Sequence, residues 1–178
     1  MAKRRTSCSH DCAIFRSLRQ PEDPTPLKSR ALAAIFWGGL IAATLDLTYA
    51  CVWSWFKAGV DPVRIMQSVA SGVLGAESYE GGAATAALGV ALHYFILFVA
   101  AGLFYAASRK FDVLTRRAVI CGLLYGVAIY VVMTQVILPL SAFPHEQKFT
   151  LESVARNLGV HMVLVGLPIA LMAGRYSR

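Results

Sequence analysis

The sequence predicts an all-α integral membrane four-helix bundle with a short interfacial helix on its periplasmic side. Three observations carry that expectation. The apolar residues are gathered into four long blocks, charges are scarce inside those blocks, and Lys and Arg alternate in density between successive connecting segments. Soluble domains carry about 25% charged residues and under half apolar residues. This chain of 178 residues is 15% charged and 57% apolar, with a mean hydropathy of +0.57. A core of that composition takes lipid as its solvent.

Residues 1–30 read as a disordered basic cytoplasmic leader, because Lys3, Arg4, Arg5, Arg16, Arg19, Lys28 and Arg30 are interspersed with Pro21, Pro24 and Pro26. The first apolar run begins too far from Met1, and is too long, for a signal peptide. A lipobox reading of Leu47-Thr48-Tyr49-Ala50-Cys51 is disfavoured by Tyr49 and by Asp46 just upstream. The first block is therefore expected to be an uncleaved anchor.

Residues 31–178 form the expected transmembrane domain. Its helices fall at about 31–56, 83–107, 118–138 and 154–173, each long enough at ~1.5 Å per residue to cross a ~30 Å hydrocarbon core. The third is expected to end at Pro139, which removes a backbone donor, and Pro168 is expected to kink the fourth. Between the first two, Asp61-Pro62 reads as an N-cap followed by proline at the first helical position. Ile65, Met66, Val69, Val73 and Leu74 then recur at helical spacing, with Ser68, Ser71, Gly72 and Gly75 facing away. A helix over 62–75 is too short to span and reads as interfacial or re-entrant, its apolar face shielded. Thr150 and Ser153 are expected caps of the last helix.

Thirteen Lys and Arg fall on one side of this arrangement and four on the other. The positive-inside rule then places both termini in the cytoplasm and the protein in a bacterial inner (plasma) membrane. The net charge of +7 is read as topology signal and contact with anionic headgroups, so the expected partner is the lipid bilayer and not nucleic acid. Four cysteines form no disulfide framework. Cys51 and Cys121 lie in apolar blocks as small hydrophobes, and Cys8 and Cys12 lie in a reducing compartment.

Ionisable groups at membrane depth face the bundle interior and are functional candidates. Asp46, His93 and His161, on the first, second and fourth helices, all fall within about 6 Å of the midplane, on its periplasmic side. Tyr130 and Gln135 of the third helix fall about 3 and 10 Å toward the same side. These five residues form the expected intramembrane polar cluster. Small residues accompany it: Gly39, Ala43 and Ala50; Ala86, Gly89 and Ala100; Gly122 and Gly126; Gly159 and Gly166. Such stripes let helices approach closely in lipid. The final expectation is that Asp46, His93 and His161 point into one shared space.

The leading functional reading is a non-enzymatic structural or accessory protein whose cluster fixes helix register, each contact adding roughly 0.6–2 kcal/mol. A small proton-coupled transporter acting as a homo-oligomer is an alternative, since an Asp–His pair can titrate near neutrality. A haem b between His93 and His161, or a metal held by His93, His161 and Asp46, is another, although no metal-binding spacing supports it. No cofactor is expected otherwise. Cys8-Ser9-His10-Asp11-Cys12 has metal-ligand residue types in a short, lone run, while His145 and Glu146 read as solvated loop residues. No Ser–His–Asp order, Walker loop or dinucleotide fingerprint is present. Leu88-Gly89-Val90 ahead of His93 echoes Leu158-Gly159-Val160 ahead of His161, which raises a duplicated hairpin.

The run from Gly38-Gly39 through Asp46 to Tyr49-Ala50, then Gln67 to Gly75, Gly81-Gly82, Leu88-Gly89 and His93, resembles a family of small proteobacterial four-helix inner-membrane proteins of uncharacterised activity. Pro139-Leu140-Ser141 and the stretch from His161 to Pro168 extend the likeness, and YagU-like membrane proteins are more distantly similar. The resemblance spans about Leu32 to Ala173. It implies this topology and brings no reaction with it.

Overall fold

The computed structural model describes residues 27–144 and 150–177. The basic leader before Leu27, with its Cys8–Cys12 run, and the His145-Glu146 pair lie outside them. Every element among the described residues is helical. Helix α1 runs Leu27–Ala58, α2 Pro62–Leu74, α3 Gly82–Lys110, α4 Ala118–Leu140 and α5 Leu151–Tyr176. All but α2 are long and apolar enough to cross a membrane.

The connections follow from local chemistry. Gly59, at φ +62, turns the chain out of α1 in a conformation that costs other residues a steric penalty. Asp61 then caps α2, its Oδ1 accepting from the Val63 N–H at 2.7 Å, with Pro62 at the first turn. Gly75, at φ +64, closes α2. A 3-10 segment, Gly75–Tyr79, leads into α3, and one helical turn, Val113–Arg116, joins α3 to α4. Thr150 and Ser153 form a reciprocal capping box at the start of α5, which satisfies two otherwise orphaned backbone donors.

Helix α1 packs against both α3 and α5, and α5 packs in turn against α4. The four long apolar helices therefore order as α3, α1, α5, α4. Small residues make the close crossings, as the stripes predict. Ala42 and Ala43 of α1 are fully buried, and a side chain at Gly39 would strike the Phe98 ring of α3. At the α4–α5 crossing a β-carbon on Gly126 would meet the His161 carbonyl and Met162 Cα. One on Gly166 would meet the backbone of Gly122 and Gly126. The outward faces carry Phe36, Phe95, Leu103, Ile120, Leu124 and many other exposed large apolar side chains, far more than soluble monomers present.

Helix α4 ends at Leu140, one residue past Pro139, and a π-helical segment, Met133–Ile137, precedes the proline. The same device recurs in α5, where π segment His161–Gly166 precedes Pro168 by the same interval. Proline lacks the N–H and crowds the carbonyl one turn back, and a wider turn there relieves both. Ser71 of α2, expected to face away, is buried, and the helix packs through Gln67, Ala70 and Ser71. The small and polar face makes the close approach, and Gly89 of α3 admits the Met66 carbonyl so tightly that any β-carbon would collide with it. Small residues at such a crossing gain packing. Gly159, the counterpart of Gly89 in the sequence echo, has nothing within 4 Å of a β-carbon placed on it.

Candidate functional site

Helices α3 and α4 are the two ends of the helix order, and they face one another across a cavity of about 350 Å³. The far end is closed by rings. Phe104 and Tyr125 pack with centroids 4.9 Å apart, and the Tyr125 hydroxyl donates to the Ala100 carbonyl at 2.7 Å. The near end is covered by α2 and by the segment after α4. Ser68, Val69, Gly72 and Val73 line it from one side, Ser141 and Phe143 from the other. The two are clamped by the Ala142 N–H donating to the Gly72 carbonyl at 2.9 Å. Gln67 holds the base of α2, its amide nitrogen donating to the Gly82 carbonyl at 3.1 Å.

Asp46, His93 and His161 all line this cavity. Asp46 comes from α1, His93 from α3 and His161 from the first position of the π segment in α5. His93 Nε2 stands 3.7 Å from Asp46 Oδ2, with the two side chains 12% and 17% exposed. That is an ion-pair separation and too long for a hydrogen bond. The closer partner of His93 Nε2 is the Ala43 carbonyl, at 3.2 Å. A carbonyl only accepts, so this nitrogen carries a proton. The same logic protonates His161 Nδ1, which donates to the Asn157 carbonyl one turn back at 2.8 Å. π segments are rare in helices and recur at functional sites. Here one carries His161 and the other carries Met133 and Ile137, which line the opposite wall.

The remaining members of the expected cluster separate. Tyr130 is buried behind His161, its ring edge-on to the imidazole with centroids 5.6 Å apart. Gln135 is exposed, and its amide nitrogen reaches Thr134 Oγ1 at 3.4 Å. Its depth suits the cluster but its direction does not. Five positions along from Tyr130 put it roughly 140° around the helix, and Met133 and Ile137 take the cavity-facing positions instead. Ser68 and Ser141 were missed. Ser68 lies in the middle of α2 and Ser141 caps the end of α4; each hydroxyl donates to the carbonyl three residues back, a habit that signals a local role and not a shared site.

Three candidate ligands of a metal, His93, His161 and Asp46, share the cavity without sharing a coordination sphere. Among the described residues no three His, Cys, Asp or Glu side chains are grouped to hold a metal ion. His93 Nε2 and His161 Nδ1 each donate to a backbone carbonyl, which leaves His93 Nδ1 and His161 Nε2 as the ring nitrogens with free lone pairs. Compared with protein-family models, curated proteins and solved structures, the chain matches none. The fold and the arrangement of its polar groups define the class: an all-helical protein with four membrane-spanning-length helices around a polar-centred apolar cavity.

Proposed function

We propose that this chain is a non-enzymatic multi-pass protein of a bacterial inner membrane that binds a small, mainly apolar molecule between α3 and α4. The observation that carries the reading is the cavity around Asp46, His93 and His161. Groups serving solely as interhelical glue gain by closing on one another. Here the nearest pair is 3.7 Å apart and the space beside it is a cavity of about 350 Å³. Ligand pockets start at about 300 Å³ and combine apolar walls with a few placed polar groups. The structural role proposed for the cluster, fixing the α1–α3 register, is compatible with binding and served by the same His93 contacts.

A binding test follows from Gly72, which lines the cavity mouth and has nothing nearer to an added β-carbon than Ser141 Cβ at 3.8 Å. Gly72→Phe is therefore expected to plug the cavity without displacing backbone. A panel of compact apolar molecules bearing one polar group should raise the thermal unfolding midpoint of the wild-type protein. Ligand at a hundred times its Kd adds about 2.7 kcal/mol. The plugged variant should show no such rise. Equal rises in both proteins would remove the cavity from the account.

Orientation rests on the Lys and Arg distribution. A reporter fused after Arg178 is expected to read cytoplasmic, and one inserted between Glu77 and Glu80 periplasmic. The reverse pattern, or a cytoplasmic reading for both, would contradict this orientation.

A further inference from the structure

The cavity's polar inventory is one-sided. Among the described residues, five polar side chains line it: Asp46, Ser68, His93, Ser141 and His161. Lys, Arg, Asn, Gln, Trp and Tyr are missing from the described lining. The protons that these five own are already committed to backbone. The Ser68 hydroxyl donates to the Ile65 carbonyl at 2.7 Å, and the Ser141 hydroxyl to the Leu138 carbonyl at 2.7 Å. Ser141 Oγ also accepts from the Phe143 N–H at 3.3 Å. In the neutral rings, His93 Nε2–H and His161 Nδ1–H are directed to the Ala43 and Asn157 carbonyls. What remains for an occupant is lone pairs: the Asp46 carboxylate oxygens, His93 Nδ1, His161 Nε2 and the serine oxygens. With both rings neutral, the described lining accepts hydrogen bonds and has none to give.

Charge points the same way. An ionised Asp46 has His93 as its nearest basic side chain, 3.7 Å off, and an unpaired carboxylate is costly at membrane depth. A cationic donor offsets that charge directly, and charge-assisted hydrogen bonds are about twice as strong as neutral ones. An anionic head would instead meet the carboxylate. A neutral acceptor, such as a ketone or ether, would find no proton. We propose that the occupant is a hydrophobic ammonium, a primary or secondary amine in its protonated form. Its N–H groups contact Asp46, and its apolar body lies along Ile96, Ile129, Met133 and Val165. The size of the cavity favours a compact body over a long chain. This inference rests on the binding function proposed above and narrows it to one ligand chemistry.

The experiment compares three molecules of one shape. Radiolabelled aminoadamantane, adamantanol and adamantane carboxylate are dialysed at neutral pH against the full-length protein in lipid nanodiscs, with empty nanodiscs subtracted. The amine should bind saturably, and the alcohol and carboxylate at least about tenfold more weakly. Asp46→Asn should weaken amine binding by about tenfold or more, while Asp46→Glu, which keeps the charge, retains it. Circular dichroism of both variants confirms that they are folded. Alcohol or carboxylate binding as tight as the amine, or amine binding unchanged in Asp46→Asn, would overturn the ammonium proposal and leave the cavity's binding function standing. No saturable binding of any of the three would overturn both.

Discussion

Gly126→Leu is expected to be the most damaging single substitution in the bundle, costing about 3 kcal/mol or more of stability. Overpacking a core costs typically about 1–3 kcal/mol because neighbouring side chains rotate out of the way. No such relief exists at this position. The atoms that a β-carbon on Gly126 would meet are the carbonyl of His161 and the Cα of Met162, and both are backbone. The facing Gly166 is pressed in return against the backbone of Gly122 and Gly126, so the helices cannot slide to a looser register. Separation of α4 from α5 would also carry His161 away from the cavity. Equilibrium unfolding in mixed micelles measures the loss. Gly159→Ala is the control, because nothing approaches that position and alanine is the better helix former. It is expected within about 0.5 kcal/mol of the wild type. A Gly126→Leu protein as stable as Gly159→Ala would show that the α4–α5 crossing is not as close as described.

The four long helices were legible because each is a continuous apolar block of helical length. The α4 start at Ala118 falls where the sequence places it, and the other ends differ from expectation by a few residues. Asp46, His93 and His161 each lie close to the middle of an apolar block, and all three line one cavity. Rotation was not legible. Gln135 has the right height on the wrong side of α4, and nothing in composition marks which side of an all-apolar helix faces a neighbour. The packing of α2 has a related cause. Its apolar stripe is visible in the sequence, whereas Ala70 and Ser71 are buried because small residues allow the close approach to Gly89. The π segments escaped for a different reason. Pro139 and Pro168 signal a break in the hydrogen-bond ladder, and the sequence alone does not say whether the helix stops or widens. The cavity itself depends on the helix order α3, α1, α5, α4, which leaves two helices facing across a gap and which emerges from tertiary packing alone.

The second large effect is expected at the polar centre. His93→Leu removes the nearest basic side chain from Asp46, 3.7 Å away, and with it the adjacent ring that can take up a proton and offset the carboxylate's charge. Charged residues within a membrane-spanning helix cost about 2.5–3.5 kcal/mol on insertion scales, and removing one partner of a buried pair costs about 3–5 kcal/mol. Both side chains keep some exposure, so a loss of about 2 kcal/mol is the expected result. Asp46→Leu alone should cost less, because His93 keeps its bond to the Ala43 carbonyl at 3.2 Å. With both replaced, no uncompensated charge remains, and replacing both partners of a polar pair by apolar groups approaches neutrality. The double-mutant cycle on Asp46 and His93, read by equilibrium unfolding, measures whether the two groups act as one site. The account predicts a coupling of about 1 kcal/mol or more, with the double variant more stable than His93→Leu alone. Losses that simply add, to within about 0.3–0.5 kcal/mol, would place Asp46 and His93 in separate environments and contradict the shared site.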